Sequence, residues 1–178
     1  MSDLSTLLAF AHRLADAAAL ETMPLFRAAL EIDNKLGEGG FDPVTHADRN
    51  AEAAIRTLVT QEFPDHGILG EEFDEKPPAG SGSGFCWVID PIDGTRAFIS
   101  GMPSWGTLIA LSQNGVPVLG IMDQPYVRER FCAMRGGTAL HLRGGKKTPI
   151  STRACPALEQ ATVATTAPEL LISPGASA

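Results

Sequence analysis

At 178 residues, 44% hydrophobic and 20% charged, the chain has the composition of a globular protein long enough for one real core. A net charge of −7 argues against nucleic acid as a partner, and no apolar run approaches the length of a membrane span. Cys86, Cys132 and Cys155 are odd in number and form no C-x-x-C pair, which points to inert thiols in a reducing cytoplasm. No basic segment leads into an apolar stretch at the N-terminus, so no secretory signal is expected.

Leu4, Leu7, Leu8, Ala11, Leu14, Ala15 and Ala18 recur at helical spacing behind Ser2-Asp3, which can cap. The pattern predicts a first helix that is kinked at Met23-Pro24 and runs on to about Ile32. Residues 34–44 are rich in glycine and predict a loop. Thr45 then stands as N-cap with Asp48 at the third helical position, close to a capping-box spacing. Ala47, Ala51, Ala54, Ile55 and Leu58 mark a second amphipathic helix ending near Phe63-Pro64. Capping alone is a sufficient reason for Asp48 if it is read in isolation.

A short strand, Gly67 to Leu69, is closed by Gly70-Glu71-Glu72. Residues 74–84 predict a loop; their glycines precede a strand and open no helix, so they are not a dinucleotide fingerprint. Phe85 to Ile89 predicts a buried strand that breaks at Pro91, with Asp90 and Asp93 at its carboxyl end. Gly94-Thr95 follows at once and suits the start of a helical turn. Hard divalent cations bind carboxylate oxygens, and phosphate binds backbone N–H groups at a helix start. This one segment offers both.

Farther on, Thr107–Ser112 and Val116–Met122 flank Asn114-Gly115, a strong hairpin signal. Glu129–Met134 and Thr138–Leu142 predict a second hairpin. The expected class is α+β, with N-terminal helices packed on a mostly antiparallel sheet. Residues 1–150 are expected to form a sheet-and-helix domain carrying the site, and residues 151–178 a weak continuation with a frayed tail. Thr162–Thr166 is a candidate strand within it. Residues 1–123 carry eighteen acidic against seven basic side chains, and the remainder three against seven. An acidic half suits a cation site, although a solvated acidic surface looks the same.

D-x-V-T-x-A-D at 42–48, G-E-E at 70–72 and W-V-I-D-P-I-D-G-T at 87–95, in that order and spacing, resemble the inositol monophosphatase family of Mg²⁺-dependent phosphomonoesterases. Arg96-Ala97-Phe98-Ile99-Ser100-Gly101 and the run from Trp105 to Leu111 are more similar to its histidinol-phosphate phosphatase branch, as is Asp33-Asn34-Lys35. Inositol phosphatases usually carry Thr-Asn where this chain has Arg96-Ala97.

The resemblance implies that Glu71, Asp90 and Asp93 bind Mg²⁺ through carboxylates, and Ile92 through its backbone carbonyl. It casts Thr95 and Asp48 as the pair that orients and activates the attacking water, the Thr95 hydroxyl donating to Asp48. Gly94 and Thr95 would offer N–H groups to phosphate, and Arg96 would bear on substrate choice; an exposed positive charge is its alternative reading. Glu72 is a candidate supporting carboxylate, equally well explained as a solvent-facing charge. Lys35 is a candidate to close over the site from the glycine-rich loop, although a surface lysine is the better reading. His12, His46, His66 and His141 have no zinc-ligand spacing, Ser100 and Ser104 have no G-x-S-x-G context, and Trp87 and Trp105 suit core anchors.

In the resembled family the chain continues into a second α/β layer with a Trp-Asp motif whose aspartate is a further metal ligand. No Trp-Asp pair occurs here, and no aspartate follows Asp123. The chain is therefore expected to be C-terminally truncated, with the second layer largely missing. The expected function is Mg²⁺-dependent hydrolysis of a small phosphate monoester, L-histidinol phosphate first and inositol 1-phosphate as the alternative. A catalytically incompetent remnant that binds metal or a partner chain is the second alternative. An uncovered sheet would favour a homo-oligomer.

Overall fold

A computed structural model describes residues 3–28, 32–34, 43–80 and 84–164; Lys35 lies outside these residues. Helix α1 (Leu4–Thr22) buries Leu7, Phe10, Ala11, Leu14, Ala15 and Ala18, the stripe expected from their spacing. It does not continue to Ile32. Pro24 has no N–H to give and its ring crowds the carbonyl one turn back. The Leu25 and Phe26 N–H groups both donate to the Thr22 carbonyl, and Arg27 turns left-handed at φ 65°.

Strands β1 (Ile32–Asn34) and β2 (Pro43–Thr45) then pair antiparallel, where the sequence predicts the end of a helix, a loop and an N-cap. Three-residue strands are too short for their alternation to register. Helix α2 (His46–Glu62) starts at Thr45 with a complete capping box. Strand β3 (Gly67–Leu69) falls where expected.

Strand β4 (Phe85–Asp93) corrects the expectation of a strand ending at Ile89. It runs through Pro91 to Asp93, with its register irregular between Asp90 and Asp93. Proline is tolerated there because β3 pairs with β4 only as far as Val88, so that side has no ladder bond to lose. Helix α3 (Thr95–Ile99) follows, and then strands β5 (Gly106–Gln113), β6 (Val116–Gln124), β7 (Glu129–Met134), β8 (Leu140–Arg143) and β9 (Lys146–Pro149). Strand β9 was not expected. It returns through Gly144-Gly145, both in the left-handed region, as Asn114-Gly115 are between β5 and β6. Residues 162–164 of the candidate C-terminal strand are not in a strand, and 165 and 166 lie outside the described residues.

The seven strands lie in the order β3-β4-β5-β6-β7-β8-β9; the β3–β4 pair is parallel and every other pair antiparallel. Helices α1 and α2 cover one face, where Trp87, Ile89, Ile109, Leu111 and Ile121 meet the helix stripes in one core. No described helix packs on the opposite face. Val88, Leu108, Ala110, Met122, Phe131 and Ile150 border an apolar groove of about 540 Å³ there, and Asp90 stands among its lining residues. The outer edge of β3 is occupied by Lys76, whose backbone exchanges two hydrogen bonds with Ile68 at 2.7 and 2.9 Å. No described helix is long and apolar enough to cross a membrane.

Candidate active site

Three acidic segments distant in sequence converge at one end of the sheet. The start of α2 supplies Asp48, the turn after β3 supplies Glu71 and Glu72, and the end of β4 supplies Asp90 and Asp93. Their convergence is felt at Asp90, whose carboxyl is pushed up to about 7, first by burial and then by the negative charge of Glu71 and Asp93. A hydrogen bond with the Glu71 carboxyl and the charge of Asp48 add to the rise. Oδ1 of Asp90 is buried and has no hydrogen-bond partner. Among the described residues no three His, Cys, Asp or Glu side chains stand in a ready-made ligand arrangement. The carboxylates are thus gathered without being closed around a point.

This donor set suits a hard cation. Every contributing side chain is a carboxylate, and a buried oxygen that lacks a hydrogen bond is the atom that a cation would satisfy. The Ile92 carbonyl accepts from the Thr95 hydroxyl at 3.1 Å, and a carbonyl oxygen retains a second lone pair. The Thr95 hydroxyl has a single proton and here gives it to Ile92, so its expected bond to Asp48 is not made in this arrangement. The Asp48 carboxylate accepts from the backbone N–H of Thr45 at 2.9 Å and from its hydroxyl at 2.6 Å. Capping is therefore part of what Asp48 does.

The platform under these groups is apolar. Phe26, Ala47, Ile92, Phe98 and Trp105 form a second buried cluster, so the residues preceding Asp48 and Asp93 are anchored in an apolar core. Trp87 and Trp105 are both core, as expected. Gly94 caps α3 at φ 90°, and a Cβ there would stand 2.9 Å from the Ser104 carbonyl oxygen, so only glycine fits between strand and helix. Arg96 is exposed on α3. Asp93 and Glu71 are exposed and Glu72 is half-buried.

Two groups were missed in the sequence. The buried Thr107 hydroxyl donates to the Pro91 carbonyl at 2.8 Å, which fixes the backbone where the β4 register slips. Glu52, one turn beyond Asp48, is fully buried and accepts from the backbone N–H groups of Glu71 and Glu72. Its signal was present: a glutamate interrupting the apolar stripe of α2.

The inositol monophosphatase family model matches residues 3–169. The chain belongs to the inositol monophosphatase family. A chloroplastic bifunctional phosphatase IMPL2 from Arabidopsis thaliana is 41% identical over 95% of the chain and 46% of its own length. A histidinol-phosphatase from Chlorobaculum parvum is 42% identical over 94% of the chain and 61% of its own length. Among solved structures, an inositol monophosphatase from Zymomonas mobilis superimposes with a TM-score of 0.68 at 43% identity, covering 89% of this chain and 57% of that one. The chain thus spans about half the length of the relatives it matches, and within that span its helices and sheet follow the inositol monophosphatase fold.

Proposed function

We propose that this family member holds Mg²⁺ on the Glu71, Asp90 and Asp93 carboxylates and the Ile92 carbonyl, and hydrolyses a small phosphate monoester. The observation that carries the reading is the buried, unpartnered oxygen of Asp90 inside a ring of negative charge from Glu71, Asp93 and Asp48. When bound, the cation supplies charge neutralisation at the phosphate and acidifies water. The chain's own part is binding and orientation. The first turn of α3 behind Gly94 receives phosphate oxygens at Gly94 and Thr95, and Arg96 pairs with the substrate. Thr95 and Asp48 place the attacking water; for this the Thr95 hydroxyl leaves the Ile92 carbonyl by a rotation about χ1.

L-histidinol phosphate is the preferred substrate, supported by a histidinol-phosphatase relative and by Arg96-Ala97; inositol 1-phosphate is the alternative. Free thiols at Cys86, Cys132 and Cys155 suit work in a reducing cytoplasm. A second reading, a remnant that binds a partner chain without turnover, is the one that the lack of a ready-made three-ligand arrangement among the described residues leaves room for.

The test is phosphate release from L-histidinol phosphate by the purified chain, with and without Mg²⁺. Mg²⁺-dependent release that disappears in Asp93→Asn is the expected result. No release from a folded chain, beside an active full-length relative, would leave only the second reading.

A further inference from the structure

Glu52 is the least expected charge in the molecule: a carboxylate with no exposed surface, on a helix face otherwise lined by Ala51, Ile55 and Val59. Burying a carboxylate costs several kcal/mol unless every lone pair is used. Here they are used. One oxygen accepts from the Glu71 N–H at 2.9 Å and the Glu72 N–H at 2.8 Å; the other pairs with Arg56 Nε at 2.7 Å. Arg56 in turn donates to the Phe73 carbonyl at 3.1 Å and lies over the Phe73 ring at 5.6 Å from its centre. A Cβ on Gly70 would stand 1.8 Å from the Glu52 carboxylate, so glycine at 70 is what admits this group to the turn.

Resting on the Mg²⁺-site reading above, we infer that Glu52 is a positioning residue: its carboxylate clamps the Gly70–Glu72 turn and so presents the Glu71 carboxylate to the cation. Two consecutive N–H groups held by one oxygen fix the backbone on both sides of the Glu71 side chain. Arg56 neutralises the clamp, which would otherwise add a negative charge behind a site already crowded with them. The same helix face carries Asp48 one turn earlier, so α2 locks the distance between Asp48 and Glu71.

The test is Mg²⁺ titration of the full chain by calorimetry, together with the Mg²⁺ dependence of phosphate release. Glu52→Gln has only one oxygen to share between the turn and Arg56. It should weaken Mg²⁺ binding by about tenfold or more while kcat at saturating Mg²⁺ stays near the parent's. Val59→Ala, a core truncation on the same helix, should lower stability and leave Mg²⁺ affinity alone. Unchanged Mg²⁺ affinity in folded Glu52→Gln, or equal weakening in Val59→Ala, overturns the inference and leaves the site reading standing. A parent chain that binds no Mg²⁺ overturns the site reading and the inference with it. Should Glu52→Gln not fold, amide exchange in the parent decides: slowed Glu71 and Glu72 amides support the clamp, and exchange at free-chain rates refutes it.

Discussion

Trp87 Nε1–H donates to Nδ1 of His66 at 3.1 Å, deep in the core, and this bond requires the imidazole to be neutral with its proton on the other nitrogen. Burial holds the His66 pKa below its ordinary value of 6.5, and Phe63 stacks on the ring at 4.7 Å. The unfolded chain takes up a proton at 6.5 that the folded chain refuses. Stability contributed by neutral His66 is therefore complete above that value and lost as pH falls through it.

Urea midpoints measured from about pH 7.5 down to 5.5 should accordingly fall more steeply for the parent than for His66→Gln, whose side chain can still accept from Trp87. The difference between the two curves isolates His66. Asp90 and Asp123, both raised by burial, act in the opposite sense in both proteins, and His12, lowered by burial and Arg130, acts equally in both. Parallel curves would refute the assignment.

Thr107→Val keeps the shape of the buried side chain and removes its hydrogen bond to the Pro91 carbonyl. A buried carbonyl left without that partner should cost about 1–3 kcal/mol in urea unfolding. Because the lost bond sits at the register slip, Mg²⁺ affinity should weaken as well. A stability change with no change in Mg²⁺ affinity would separate the slip from the site.

Asp90→Asn should move stability and activity in opposite directions. The amide removes a buried charge that faces three other carboxylates. In the absence of Mg²⁺ at about pH 8, unfolding should therefore require more urea, by about 1–3 kcal/mol. The same variant should lose Mg²⁺-dependent turnover. A variant less stable than the parent under these conditions would show that the carboxylates do not strain the fold.

Much of this was legible in the chain. The capping box at Thr45 and Asp48, the limits of β3 and β7 and the turn at Asn114-Gly115 are all local: residue type and spacing determine them within a few positions. What escaped was non-local. Proline inside β4 reads as a break, and it is tolerated only because β3 stops short of it. Glu52 interrupts an apolar stripe, but what satisfies its carboxylate is a turn almost twenty residues away. The acids were identified from their order along the chain, but the bond from Thr95 to Ile92 is a choice among rotamers that no spacing records.

Replacing Arg96 with Thr tests the reading of substrate choice. The ratio of kcat/KM for L-histidinol phosphate over inositol 1-phosphate should fall by about tenfold or more, the value of a charge-assisted hydrogen bond. An unchanged ratio would remove Arg96 from the account of specificity.

The open sheet face should bind an apolar fluorescent dye, and replacing Val88 and Met122 together with serine should reduce the signal. Both side chains are more than a third exposed on that face. No dye binding by the parent would mean that the face is covered in solution.

The two margins of the sheet limit what such a surface can lead to. On one side the Lys76 backbone already fills the β3 edge; on the other, β9 presents Lys146, Lys147 and Pro149, a charged border that ends in a residue unable to donate. Copies of the chain are thus discouraged from adding strand to strand, the route by which a sheet grows into a ribbon without end. Contact through the bare face is different in kind: two molecules meeting there use up both surfaces and leave nothing for a third. Among the described residues, the arrangement of edges works against growth into a fibre.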